Sequence, residues 1–399
     1  MPERRLDQLE CMRGIAALVV VGWHLRLGFS MRPLSDGANG TIFEKLFDTI
    51  FNGSAAVSFF FVLSGVVLTL GYFRSGNLQS LGRGVLKRWP RLAGACTVVV
   101  LASWGLFASG GYYYAEAAAL TRSAWLAEFA FANLPTPFAP SWQNALRQGL
   151  FTTFYNGENY YDSSLWTMRP EMVGSLLSFG MAPVFRGIVK PWLVGGALIS
   201  ASIMLMRLEL HIPSFLIGVM LARCVHDRVP ELTLAATAAL VIPGLILLTS
   251  NGPAGAFSFL CTIIPKNSNL SLLEWDAGSA LLIFAAMGSR GMARGLSGSA
   301  ARWLGRLSFP IYLVHVPVLC SLGAYIYIRV FNLGGAQAAL LAASVATLSG
   351  TILTAIPLAW FDRWWVRRLN LAVNYVSNRS MPLDPSVPPN LLLEINSPK

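Results

Sequence analysis

The sequence predicts an all-α, polytopic membrane helix bundle of about ten transmembrane helices with both termini cytoplasmic. Three observations carry that prediction. Hydrophobic residues make up 54% of the 399 positions and charged residues only 12%, with a mean hydropathy of +0.55, whereas a soluble globular chain carries about 25% charged residues. Apolar stretches close to the length needed to cross a bilayer, about 20 residues, recur along the chain. Lys and Arg concentrate in alternate connections between those stretches, as positive-inside topology requires. This composition excludes an ordinary soluble enzyme, a disordered chain and a coiled coil.

The first span, 11–29, follows Arg4 and Arg5 and has an apolar centre from Gly14 to Trp23. No small-residue cleavage site follows it, so it reads as a retained span rather than a signal peptide. The second, 54–73, is almost unbroken in its apolar character, and the third, 92–108, begins after Arg88-Trp89-Pro90-Arg91. Spans at 165–184, 192–207, 212–224, 232–250, 272–289, 307–330 and 337–360 follow, of which 212–224 is the shortest. Residues 1–370 thus form one integral-membrane domain, and 371–399 form a cytoplasmic C-terminal tail whose end, from Met381, is rich in Pro, Asn and Ser and reads as irregular. Five scattered cysteines with no CxxC pair indicate buried thiols, with neither a disulfide framework nor a metal site.

Net charge is +11. If the N-terminus is cytoplasmic and the spans alternate, 20 of the 30 basic and 8 of the 19 acidic residues lie on the cytoplasmic side, leaving +12 there and −1 elsewhere. The excess is topological, and no nucleic-acid partner is required. The longest loop, 109–164, then lies outside. It carries Tyr112, Tyr113, Tyr114, Trp125, Trp142, Tyr155, Tyr160 and Tyr161, which suit a membrane interface and equally suit stacking on sugar rings.

Ionisable residues inside spans are costly and mark function. Arg13 and His24 are eleven residues apart, three helical turns plus about 20°, so they share one face about 16 Å apart. The face offers a cation at the cytoplasmic end and an imidazole deep in the membrane. An acyl-CoA has that shape, with phosphates at one end and a thioester at the other; a snorkelling Arg and a packed His would show the same spacing. Pro90 suits a first helical turn, which would direct a helix N-terminus and Arg88 and Arg91 at phosphate. Glu171, at the outer end of the fourth span, is at a depth where it could bond His24 and orient its ring, as the acid of a triad does. Ser308, Tyr312 and His315 recur on one face of the ninth span, as a cavity lining or a packing cluster.

Several of these residues sit in motifs that resemble the membrane-bound acyltransferase-3 family. Leu9-Glu10-Cys11-Met12-Arg13-Gly14-Ile15-Ala16-Ala17-Leu18 resembles its opening LDGLRGIAAL, and Arg13 and His24 match its R-x10-H. Phe60-Phe61-Val62-Leu63-Ser64-Gly65 matches FFVLSG, and Arg88 and Arg91 match RxxR. Leu165-Trp166-Thr167-Met168-Arg169-Pro170-Glu171 resembles LWSLSVE, with Arg169-Pro170 in place of an uncharged pair. Leu304-Gly305-Arg306-Leu307-Ser308 and Ile311-Tyr312-Leu313-Val314-His315-Val316-Pro317 resemble the late LGxxS…YLxHxP element.

The resemblance implies an O-acyltransferase in the bacterial cytoplasmic membrane. His24 and Glu171 would be catalytic, and Arg13, Arg88, Arg91, Ser308, Tyr312 and His315 would bind the donor. The donor would be acyl-CoA, most simply acetyl-CoA, with no metal, and the acceptor a saccharide or lipid-linked glycan. The chain ends soon after the tenth span, which implies a stand-alone member. A proton-coupled transporter, using the same buried His, Glu and Arg as a relay, is the alternative.

Overall fold

A computed structural model of the protein describes residues 7–29, 47–130, 138–188, 190, 193–198, 211–227, 229–250 and 270–379. Among these every regular element is helical. The principal helices are α1 Asp7–Phe29, α2 Gly53–Ser75, α3 Leu78–Ala108, α4 Met168–Gly187, α5 Ile212–Val225, α6 Leu234–Thr249, α7 Leu270–Gly288, α8 Ser299–Val318 and α9 Ala324–Arg379. Five helical stretches among the described residues are long and apolar enough to cross a membrane: Asp7–Phe29, Phe47–Ser75, Leu78–Ala108, Leu270–Gly288 and Ser299–Tyr375. The apolar helices α5 and α6 are shorter than this. Most of the expected fifth span, 192–207, lies outside the described residues.

The stretch Ser299–Tyr375 is two antiparallel arms. α8 continues through a π-helical turn at Leu319–Gly323 into the start of α9, and the helix breaks at Gly335 (φ 75°, ψ −176°). Beyond that glycine the chain returns, so that Thr347 lies against Gly323 and Gly350 lies against Val318 and Leu322. A positive φ with extended ψ is readily reached only by glycine. The break falls between the expected ninth and tenth spans. The returning arm is helical to Arg379, past the domain boundary expected at 370.

Leu234, Leu341, Leu353 and Trp360 are exposed, while Ser58, Gln148, Asp276 and His315 are buried. That inversion of a soluble protein's pattern is the one a lipid surround requires. Helices approach closely where both partners are small. A Cβ on Gly65 of α2 would lie 2.3 Å from the Phe215 carbonyl oxygen, and one on Gly218 of α5 would lie 2.2 Å from that of Val62. Small residues facing each other in this way let two membrane helices pack backbone to backbone.

Two sequence expectations change. α3 starts at Leu78, not near residue 92. α2 ends on Gly76 in the left-handed conformation, and Asn77 accepts a hydrogen bond from Gln79 N to cap α3. Nothing between Asn77 and Pro90 stops the helix, so Arg88 and Arg91 lie well inside α3 and not at its N-terminus. The 109–164 connection is also more ordered than its composition suggests, with short helices at Tyr114–Thr121 and Ala124–Ala127. A longer one from Trp142 to Tyr155, with a π-helical turn at Gln148–Thr152, runs back along α3. There Gly149 packs on Thr97, and Trp89 Nε1 donates to the Leu150 carbonyl at 2.9 Å. Tyr112, Tyr114 and Tyr161 pack with Phe107, Phe129 and Phe138, whereas Trp142 and Tyr155 remain exposed.

Candidate functional site

A cavity of about 330 Å³ opens between α1, α2, α3, α4, α8 and α9. Its charged lining comes from five helices: Glu10 and Arg13 on α1, Arg88 and Arg91 on α3, Glu171 on α4, Arg306 on α8 and Asp362 on α9. Phe60, Phe61 and Ser64 of α2, with Phe309 and Tyr312 of α8, complete the wall. The four guanidiniums grade inward: Arg91 and Arg306 are exposed, Arg13 is half-buried and Arg88 is buried. The cavity therefore has a cationic mouth and a mixed, partly aromatic interior.

Each buried charge is held locally. Arg88 pairs with Glu171, and Ser64 Oγ donates to the same Glu171 oxygen at 2.9 Å. Glu171 reaches this point because a 3₁₀ turn, Ser163–Thr167, leads into α4, with Pro170 in the first turn, where its missing N–H costs nothing. Arg13 Nε donates to Ser308 Oγ at 2.8 Å, and its Nη2 donates to the Gly305 carbonyl at 3.4 Å. Neither hydrogen-bond partner is charged, and the carboxylates that share the lining with Arg13 are Glu10, Glu171 and Asp362. Arg13, Arg91 and Arg306 form no ion pair among the described residues. Arg88 Nε is buried with no hydrogen-bond partner.

His24 lies outside this lining. Its Nδ1 is 2.9 Å from the Val20 carbonyl oxygen and 3.1 Å from His315 Nε2. Its ring packs between those of Trp125 and His315, at centroid distances of 5.1 and 4.8 Å. Tyr312 joins the two regions. It lines the cavity, its hydroxyl donates to the Ser164 carbonyl at 3.0 Å and lies 2.9 Å from Thr167 Oγ1, and its ring is 5.7 Å from that of His315.

The structure therefore gathers Arg13, Arg88, Arg91, Glu171 and Tyr312 around one cavity and sets His24 and His315 together beside it. It gives three of these residues partners that spacing along one helix did not supply. Glu171 bonds Arg88 and Ser64 instead of His24, because α4 delivers its first turn to the middle of α3. Ser308 faces Arg13 and acts as its anchor rather than as cavity wall, and His315 turns to His24. Arg306, Asp362 and Trp125 are additions: the first two read in sequence as topological charges and the third as a loop aromatic. Of the cysteines, Cys11, Cys96 and Cys320 are buried free thiols and Cys224 is exposed, while Cys261 lies outside the described residues.

Comparison with curated proteins and with solved structures gives no match. The family model described as an acyltransferase domain does match, over residues 6–361 of the 399, which takes in every residue lining the cavity except Asp362. The chain belongs to the acyltransferase-3 family.

Proposed function

We propose that the protein is an integral-membrane O-acyltransferase that takes an acyl group, most simply acetyl, from acyl-CoA on the cytoplasmic side. It passes that group to a hydroxyl of a saccharide or lipid-linked glycan reached from the outer side. The observation that carries this reading is the cationic cavity next to a histidine. Arg91 and Arg306 at the mouth and Arg13 further in, none of them in an ion pair among the described residues, offer guanidinium donors to the phosphates and polar arm of the donor substrate. Both termini are cytoplasmic in this reading, which sets the mouth on the side where acyl-CoA is found.

The chemistry follows from the imidazole. A carbonyl only accepts, so the 2.9 Å approach of His24 Nδ1 to the Val20 oxygen places the ring proton on Nδ1. His24 Nε2 is then a lone pair with no partner among the described residues. Nε2 takes the proton of the acceptor hydroxyl as its oxygen attacks the thioester carbonyl carbon. The carbon–sulfur bond breaks, the thiolate leaves, and the proton on Nε2 passes to it. The exposed Trp142, where the Trp142–Tyr155 segment begins, suits contact with a sugar ring on the acceptor path.

The test is transfer of labelled acetyl from acetyl-CoA to glycan in membranes containing the protein. Label is expected on the glycan with wild type and none with His24→Ala protein that still folds. Unlabelled glycan in wild-type membranes that move a solute would instead support the proton-coupled transporter.

A further inference from the structure

The ring of His24 is held by a second histidine, and the geometry fixes the proton positions of both. His315 Nδ1 lies 2.7 Å from the Tyr312 carbonyl oxygen. That carbonyl accepts, so His315 carries its proton on Nδ1 and presents Nε2 as a lone pair. This lone pair lies 3.1 Å from His24 Nδ1, the nitrogen that Val20 already identifies as protonated. The Nδ1–H of His24 is therefore shared between the Val20 carbonyl and His315 Nε2. Every hydrogen on the two rings has an acceptor, and the one lone pair left over is Nε2 of His24.

His315 is fully buried on α8, two residues before Pro317 and four before the π-helical turn at Leu319–Gly323. Such π turns recur at functional sites, and this one follows directly on the turn of α8 that faces His24. Trp125 also packs against the His24 ring, at a centroid distance of 5.1 Å. No carboxylate bonds the His24 ring among the described residues, and the acid that spacing suggested for the task, Glu171, is engaged by Arg88 and Ser64.

We propose that His315 is the positioning residue for His24. It accepts the Nδ1–H, which fixes the tautomer and ring angle that leave Nε2 as base, and it serves as the neutral acceptor for the imidazolium formed during transfer. The role that a carboxylate plays in a triad is here given to an uncharged ring. When His24 Nε2 takes the hydroxyl proton, the Nδ1–H···Nε2 bond becomes charge-assisted and strengthens, so His315 favours the charged intermediate over the resting state. Trp125 adds an aromatic ring against the same cation. This inference rests on the acyl-transfer reading and assigns His315 a place in it distinct from donor binding.

The experiment measures acetyl transfer by wild type, His315→Leu and His315→Gln, with the KM for acetyl-CoA determined for each and folding checked by thermal unfolding in detergent. Leu removes the acceptor at similar volume, whereas Gln can return an oxygen near the position of Nε2. The expected result is a fall in kcat of about 100-fold for His315→Leu, in the range of general-base effects, with KM changed less than about twofold and at least a tenfold recovery in His315→Gln. Equal losses in both variants would mean a packing role and overturn the proposal, as would wild-type kcat in His315→Leu. A rise in KM alone would return His315 to the donor site and also overturn it. If wild type transfers no label, the proposed function fails and this role fails with it; an active wild type with indifferent His315 variants sinks this role alone.

Discussion

Arg88 and Glu171 form the most buried ion pair at the site, and their pairing decides which substitutions are informative. Their side chains are 8% and 12% exposed, and removing one partner strands the other charge in the bundle, typically at a cost of about 3–5 kcal/mol. Arg88→Ala is therefore expected to lower the unfolding temperature in detergent as well as weaken donor binding, and an unchanged melting temperature would show that the pair contributes nothing. Arg91 is the cleaner probe of phosphate binding because it is exposed at the mouth and has no ion pair to lose. Arg91→Ala should raise the KM for acyl-CoA roughly tenfold, the value of one charge-assisted hydrogen bond, with kcat little changed; a normal KM would remove Arg91 from the donor site. At this scale the sequence was readable for identity and not for partnership. A charge in or at the edge of an apolar run is conspicuous, so Arg13, His24 and Glu171 within spans and Arg88 and Arg91 at a span edge stand out in the sequence. Which carboxylate meets which base depends on where α4 touches α3, and spacing along one helix cannot report that.

At the scale of the element, two glycines carry constraints of different kinds, one of space and one of backbone conformation. Gly218→Ala would put a methyl 2.2 Å from the Val62 carbonyl oxygen, so α5 must move away from α2. A loss of about 1–3 kcal/mol is expected, as for other overpacked cores, measurable as a lower midpoint of thermal unfolding. Wild-type stability would mean that the two helices separate freely. Gly335→Ala places a side chain at φ 75°, ψ −176°, a conformation essentially confined to glycine, at about 1–3 kcal/mol. The same measurement reads it, and an unchanged midpoint would show that the α9 break relaxes without strain. The break itself was legible, since the apolar pattern divides there. The start of α3 was not. Arg83, Lys87, Arg88, Pro90 and Arg91 look like the flank of a span, yet a helix needs a stop signal to end, and Asn77 supplies a start instead. The descent of Trp142–Tyr155 along α3 was hidden for a related reason: the segment is neither long nor apolar, and it is held by packing at Gly149 and Trp89.

For the whole molecule, the excess of basic residues and the cationic mouth of the cavity belong to one feature. In the proposed orientation, topology sets the arginines on the donor's side, and the bundle draws Arg13 and Arg88 inward from that rim toward Tyr312. Donor and acceptor then approach from opposite faces and meet near His24, which suits a ternary complex. Cysteines introduced at Ser297 and at Ser109, in single-cysteine backgrounds, should be labelled from the cytoplasmic and the outer side respectively; labelling of both from one side would overturn this orientation. The most direct test of the division of labour compares two variants in one transfer assay with labelled acetyl-CoA and separate measurement of donor affinity. His24→Ala is expected to lose transfer while binding acetyl-CoA as wild type does, and Arg91→Ala is expected to lose affinity while transferring at the wild-type rate under saturating donor. Undiminished transfer by His24→Ala would contradict the central claim that its imidazole moves the proton.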